Sequence, residues 1–413
     1  MKKLTVIYAG WGERYVLGHL GDDGSELLFE YSPAALQRGL ELSPLKLPLS
    51  PHSHGRFPEY QLRLPGLIAD ALPDGWGMLL MDRIFRREGL NPARVSPLDR
   101  LAFIGDTAMG ALSFEPASED PLEPADVQLG ELARQVRDVQ SAAGEESTQV
   151  LRELALMGGS PQGARPKVLV NFDPASGRMS NSMQLSEPDT GAPWLVKFQA
   201  QGEPKEACAI EALYARLAGA CGIRMPPARH FDLGADLAAF GVERFDREAG
   251  MRVPTHTAAG ALNADFRIPS MDYTTLLRLT RFMTRDEREV AKAFERCVFN
   301  VIFNNRDDHA KNFSFRLERD HQWKLSPAYD LTFNEGPRGE HQADICGEGR
   351  APVRKDLLRL AQEADLPRQD ALGIIAKCAD VAGQFKTMAG EFPIAGRTVS
   401  GIATRIEENR RRM

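Results

Sequence analysis

One stretch of this 413-residue chain limits its possible folds more than any other. Residues 286–303 place Val290, Phe294, Cys297, Val298, Val301 and Ile302 at helical spacing, which predicts one long helix with a buried face. It runs directly into Asn305-Arg306-Asp307-Asp308-His309-Ala310-Lys311-Asn312, a segment dense in charge and imidazole. Phe313–Leu317, a turn at Glu318–His321 and Gln322–Leu325 then read as a β-hairpin. A core helix on one side and a hairpin on the other hold the polar loop at both ends. A purely structural loop seldom needs such a density of charged groups.

The flanking sequence supplies context. Residues 3–8, 15–20 and 26–31 read as strands, with a hairpin turn at Gly21-Asp22-Asp23-Gly24. A Pro-rich stretch from Pro44 to Pro58 precedes a helix with Met78, Leu79, Ile84 and Phe85 on its apolar positions, and 111–114 reads as a strand. Residues 116–125 are acidic and Pro-rich, as in a linker. Asp126 is placed to cap a helix whose face carries Leu129, Leu132, Val136 and Val139. Strands follow at 167–172, 194–199, 228–232 and 237–243. A helix at 206–220 sits among them, with Ala207, Ile210, Leu213, Tyr214 and Leu217 in register. Beyond residue 269 the pattern is mostly helical. These readings predict an α+β, two-lobed fold with a cleft between the lobes, where ligands commonly bind.

With 51 basic and 57 acidic residues, the net charge of −6 argues against a chain that coats nucleic acid by itself. Five scattered cysteines form no CxxC pair or zinc spacing, as expected of reduced thiols in a cytoplasmic protein. The apolar run after Met1 stops at Gly10-Trp11-Gly12-Glu13, too soon for a signal peptide. No window approaches the ~18 apolar residues of a membrane span.

The polar loop carries chemistry. From Asp307 to Asn312 the spacing is Asp-x4-Asn, that of a kinase catalytic loop, where the Asp accepts the proton of the substrate hydroxyl and the Asn holds a magnesium ion. A second carboxylate is needed for the metal, and Asp330, in Pro327-Ala328-Tyr329-Asp330-Leu331, follows the hairpin. Upstream, Gly158-Gly159-Ser160-Pro161-Gln162-Gly163-Ala164-Arg165-Pro166-Lys167 leads into a strand, and its glycines allow backbone N–H groups to approach phosphate oxygens. It is neither a Walker A sequence nor a clean GxGxxG. Lys197, flanked by Val196 and Phe198, fits a phosphate-binding lysine on a strand. Val242-Glu243-Arg244-Phe245-Asp246-Arg247 could offer backbone groups to adenine. The plain alternatives are a solvated charged loop for Asp307–His309, an outward edge-strand lysine for Lys197 and a simple turn residue for Ser160. A metal-dependent phosphohydrolase is a rival, but no second His cluster accompanies the Asp-His order.

Taken in order, these motifs resemble the HipA family of bacterial Ser/Thr protein kinases, the toxins of toxin–antitoxin pairs. Gly-Leu-Glu-Leu-Ser-Pro-Leu at 39–45 and Pro-Gly-Leu-Ile-Ala-Asp-Ala-Leu-Pro-Asp-Gly-Trp-Gly at 65–77 resemble the family's N-terminal domain. The resemblance covers nearly the whole chain. It implies a kinase-like α+β fold with a sheet-rich N-terminal part, including a small β-rich subdomain, and an all-helical C-terminal lobe. The implied divisions are 1–115, 126–245 and 246–413. It implies ATP and Mg2+ as cofactors, with Asp307 as catalytic base and Asn312 and Asp330 on the metal. The implied ATP site comprises Gln162, Gly163, Ala164, Arg165, Pro166 and Lys167 over the phosphates, Lys197 on them, and Glu243, Arg244 and Phe245 at adenine. His309, Ala310, Lys311, Asn312, Tyr329 and Asp330 complete it. Ser160 matches the family's autophosphorylated serine, whose added charge should expel the loop and silence the enzyme. The implied substrate is an aminoacyl-tRNA synthetase, typically the glutamyl enzyme, and the implied partner is a HipB-like helix-turn-helix antitoxin that makes the DNA contacts. A small-molecule hydroxyl kinase on a related fold and a nucleotide-binding pseudokinase are the competing expectations. The HipA-like N-terminal motifs weigh against the first, and the intact Asp307, Asn312, Asp330 and Lys197 against the second.

Overall fold

The computed structural model describes residues 2–119, 122–141, 147–158, 163–181 and 191–413. Its contacts divide the chain into a unit made of residues 1–205, 229–256 and 260–263 and a second made of 206–228, 257–259 and 264–413.

Among the described residues the first unit holds a four-stranded and a five-stranded sheet, besides the two-stranded pair Arg247–Glu248 and Met251–Arg252. The four-stranded sheet is antiparallel, ordered Leu27–Tyr31, Tyr15–Asp22, Lys3–Tyr8, Leu112–Glu115. The turn expected at 21–24 is made by side chains. Asp22 Oδ1 accepts from the Gly24 N–H, Asp23 Oδ1 accepts from those of Ser25 and Glu26, and Gly24 takes φ +95°. Helix Gly75–Arg87 buries Trp76, Leu80, Met81, Ile84 and Phe85. Leu79, expected on that face, is 38% exposed, because the i, i+4 row through Trp76, Leu80 and Ile84 sets the helix phase. Helix Leu129–Ser141 buries Leu129, Leu132, Val136 and Val139 as expected. Asp126 lies outside that helix. Its carboxylate pairs with Arg178 at 2.8 Å and its backbone bridges Ser180, so it joins the sheet instead of capping.

The five-stranded sheet is ordered Met179–Ser180, Lys167–Phe172, Ala192–Phe198, Ala238–Glu243, Ala228–Asp232. Polar–apolar alternation is weak here because Lys167–Phe172 is buried at every position, as a strand covered on both faces must be. Two polar ties hold the unit together. Asp246 binds Arg244, Arg247 and the Gly110 N–H. His256 lies 2.7 Å from Asp70 and 2.9 Å from Ser43. This Asp–His–Ser order has the outline of a nucleophilic triad, but the serine is 1% exposed and the histidine 0%, so it ties three segments of the core.

The second unit is mainly helical. Helix Glu206–Cys221 is buried nearly all round, with Leu213, Tyr214 and Leu217 inside; Ala207 and Ile210, expected beside them, are half-exposed. Helix Glu287–Ile302 starts at Asp286, whose side chain accepts from the Arg288 N–H, and buries every apolar residue assigned to its stripe. At its other end Tyr214 Oη donates to the Phe303 carbonyl at 2.6 Å, satisfying a terminal acceptor. The expected hairpin is present as Ser314–Leu317 and Trp323–Leu325, antiparallel. It is fastened to the long helix: Glu289 accepts from the Leu325 N–H at 3.0 Å, Lys324 pairs with Asp286 at 2.8 Å, and Arg296 donates to the Ser326 carbonyl. The polar loop is thus held between two fixed elements. Among the described residues no helix is long and apolar enough to cross a membrane, and all five cysteines are free thiols.

Candidate active site

The loop after the long helix is built on a buried carboxylate, Asp308, which is 1% exposed. Tyr273 Oη donates to Asp308 Oδ2 at 2.8 Å, and His341 Nδ1 lies 2.7 Å from the same oxygen. The N–H groups of Gln342 and Ala343 donate to Oδ1 at 2.8 and 3.2 Å. Behind Tyr273 the network continues: Asn300 donates to its hydroxyl at 2.9 Å, and Asn305 donates to Asn300 at 2.9 Å. Every donor is directional, so the loop backbone at 305–308 has little freedom. Arg306 adds a third anchor, its guanidinium donating to the carbonyls of Gly339 and Arg350 at 2.5 and 3.0 Å.

Asp307 points the other way. Its side chain is 40% exposed. Gln342 Nε2 donates to Oδ1 at 2.7 Å, and the Asn312 amide donates to the Asp307 carbonyl at 2.6 Å. The five-residue step from Asp307 to Asn312 is therefore closed by a hydrogen bond. Burial raises the Asp307 carboxyl above its usual range; His309 pulls it down, Asp330 and Asp308 push it up, and the Gln342 bond lowers it. A base raised toward the working pH accepts a proton more readily in the transition state. Asp330 adds to the charge that Asp307 feels and pushes its carboxyl further up. Asp330 also takes φ +56°, a left-handed conformation that Asp tolerates and that recurs at functional sites.

His309 caps the short turn Ala310–Asn312, its Nδ1 accepting from the Lys311 N–H at 3.2 Å. In the neutral ring the proton is then on Nε2, which lies 3.8 Å from Asp307 Oδ1. Phe266 supports both neighbours of the loop: Lys311 Nζ sits 4.0 Å over its ring and His309 packs 5.6 Å from it. Tyr329 Oη donates to the Lys311 carbonyl at 2.6 Å, tying the Asp330 segment to the loop. Carboxylate and amide oxygens, such as those of Asp330 and Asn312, are hard donors of the kind Mg2+ takes, and Asn312 turns its nitrogen toward Asp307.

In the first unit Lys167 and Lys197 are direct cross-strand partners and both are buried. Like charges placed opposite each other disfavour a sheet. Gly163 has φ +106°, a backbone conformation that residues with a Cβ rarely adopt, so glycine suits this position. Gly163 also donates to Asp74 and accepts from the Trp76 N–H at 3.3 Å. The Asp74-Gly75-Trp76 segment therefore holds Gly163, a role sequence alone did not suggest. Arg165 pairs with Glu203 at 2.7 Å, and the Pro166 carbonyl accepts from the Phe198 N–H at 2.9 Å. Ser160 and Gln162 lie outside the described residues. Of the residues expected at adenine, Glu243 is half-buried and its carboxyl is raised by burial. Arg244 serves the fold, its guanidinium on Asp246 and its N–H on the Pro193 carbonyl at 2.9 Å.

Sequence reasoning missed Gln342, His341, Tyr273 and Phe266. Each lies far from Asp307 in sequence and belongs to no spacing motif. Asp308, beside Asp307 in the same loop, is its anchor.

Mixed helices and sheets around such a loop define a kinase-like fold. Comparison with solved structures agrees: the HipA chain of a Shewanella oneidensis toxin–antitoxin complex of HipA, HipB and operator DNA superimposes with a TM-score of 0.72 at 17% identity, covering 99% of this chain and 96% of that one. Residues 10–115 match the HipA N-terminal domain and residues 159–385 the HipA-like C-terminal domain; the chain belongs to the HipA family. A curated relative from Sinorhizobium fredii, named "Putative kinase Y4dM", is 25% identical over 293 residues, 67% of this chain and 64% of that protein's length.

Proposed function

We propose that this chain is a Ser/Thr protein kinase of the HipA type, which transfers the γ-phosphate of ATP to a protein hydroxyl. The observation that carries the reading is the closed Asp307–Asn312 loop, to which Tyr329 ties the Asp330 segment. Asp307 takes the proton of the acceptor hydroxyl, whose oxygen forms the new bond to phosphorus as the bond to the β-phosphate oxygen breaks and ADP leaves with the electron pair. Asn312 and Asp330 would hold Mg2+, which when bound would neutralise phosphate charge. Lys197, with Lys167 opposite it, favours the anionic phosphates. His309 and Lys311 border the nucleotide, and positioning supplies most of the rate.

The finer reading follows the family. The acceptor is an aminoacyl-tRNA synthetase, of the glutamyl type, so that phosphorylation stops translation and arrests growth. Phosphorylation of Ser160 silences the kinase, and a HipB-like antitoxin that contacts DNA restrains it in the cytoplasm. The antitoxin named with the S. oneidensis relative supports that partner.

The test is the purified chain with Mg-ATP, read by intact mass and peptide mapping beside Asp307→Asn. One added phosphate on Ser160, absent from the variant, supports both the chemistry and the switch. A synthetase screen then tests the acceptor. If both Asp307→Ala and Asp330→Ala keep full transfer, the site is misassigned. Asp330→Ala should also weaken Mg-ATP binding while Asp307→Ala largely spares it. Phosphate appearing on a small hydroxylated metabolite, and on no protein, would favour the small-molecule kinase.

A further inference from the structure

Asp307 has two carboxylate oxygens, and its neighbours treat them differently. Gln342 Nε2 donates to Oδ1 at 2.7 Å, and His309 Nε2 lies 3.8 Å from that same oxygen. Both contacts fall on Oδ1, on a side chain that is 40% exposed. We infer that Gln342 is a positioning residue for phosphotransfer: its amide holds Oδ1 so that Oδ2 faces the acceptor hydroxyl. The inference rests on the kinase reading above and deepens it.

The arm that delivers Gln342 is rigid. Its own N–H donates to Asp308 Oδ1 at 2.8 Å, while His341 and Ala343 on either side bind the same carboxylate. The His341 N–H donates to the Gly349 carbonyl at 2.7 Å, which closes the strap behind it. Buried Asp308 thus holds the backbone of Gln342, and the Gln342 side chain returns to hold the adjacent Asp307. The terminal torsion of an aspartate is broad and roughly two-fold, so without this bond the carboxylate samples orientations that take either oxygen off the line to the hydroxyl. The step itself is unchanged: the hydroxyl proton goes to Oδ2, the oxygen bonds phosphorus, and ADP leaves with the electron pair of the broken bond.

The experiment uses the full chain with Mg-ATP and counts phosphate transferred to protein or to water. Gln342→Met keeps length and bulk and removes the donor; Gln342→Glu keeps the shape and replaces the donor with an acceptor. Both should lower the rate at saturating ATP by about 10- to 100-fold, the scale of a misplaced reacting group. The ATP concentration giving half that rate, the affinity for ADP by calorimetry and the thermal midpoint should stay at wild-type values. A wild-type rate in both variants overturns the inference, as does a rate loss matched by loss of ADP affinity or of folding. The kinase reading is judged separately: if the wild type transfers phosphate and Asp307→Asn does not, that reading stands whatever Gln342 does. If the wild type transfers none, both fall.

Discussion

Asp246 and Asp308 are equally buried, at 1% exposure each, and are neutralised in opposite ways. Asp246, in the sheet-bearing unit, faces two guanidinium groups: Arg244 at 2.8 and 2.9 Å and Arg247 at 2.8 Å. Asp308, in the helical unit, is held by a tyrosine hydroxyl, an imidazole and two backbone N–H groups. Full charges attract over a range of geometries, so the Asp246 cluster resists distortion without specifying fine orientation. Hydroxyl and backbone donors stabilise only when aligned. The first arrangement suits a tie between strands. The second suits a loop whose next residue must be aimed.

The sharpest way to break the comparison is Asp246→Ala. Removing the carboxylate leaves two buried guanidiniums facing each other, and breaking a buried pair in this way costs about 3–5 kcal/mol. Chemical denaturation should show that loss, and a change under about 1 kcal/mol would mean the cluster is not the tie described. The same group sets an acid limit. Burial pushes the Asp246 carboxyl up, but Arg244 and Arg247 outweigh it and hold it well below the usual carboxylate range. A depressed folded pKa contributes stability that is complete above the unfolded value near 3.8 and is lost as pH falls toward the folded value. The wild type should therefore lose stability more steeply than Asp246→Asn as pH falls below about 4, read as unfolding midpoints against pH.

Asp308→Asn comes next. The amide keeps the shape but cannot accept from all four donors, and a buried donor left unmatched costs about 1–3 kcal/mol. Phosphotransfer should fall further than that stability loss explains, because Gln342 and the Asp307 backbone move with the anchor. A variant that loses stability and keeps full transfer would make Asp308 a plain core tie like Asp246, and the contrast would collapse.

The sequence carried the two features with a repeat or a spacing. The stripe through Val290, Phe294, Cys297, Val298, Val301 and Ile302 has helical period, and the structure buries all of it. Asp-x4-Asn has a fixed separation, and the structure closes it with one hydrogen bond. What stayed hidden was long-range. Nothing near Gln342 signals that it reaches a residue 35 positions earlier, since that meeting is made by the Asp308 anchor. Asp126 shows the converse error. A short polar residue before an apolar stripe fits a cap, but Arg178, far along the chain, supplies a stronger partner for its carboxylate. Leu79 fell on the wrong face because its side chain lies between two rows, and only packing decides which row is buried.

The smallest effect expected is also the one that separates function from stability most cleanly. Asp307→Asn should abolish transfer and slightly stabilise the protein. Burial raises the Asp307 carboxyl, so between its unfolded and folded pKa values the native state binds the extra proton and stability falls as pH rises. Above that window the wild type carries a penalty for its charge, and Asn carries none while its side-chain oxygen can still accept from Gln342. The gain should stay below about 1 kcal/mol, because the side chain is 40% exposed and water screens it. The thermal midpoint of Asp307→Asn minus that of the wild type should be positive at pH 7 and shrink to nothing below the ordinary carboxylate range. A difference that is negative at pH 7, or that grows in acid, would show that the Asp307 charge stabilises the fold, and would place this residue beside Asp246 as a structural carboxylate.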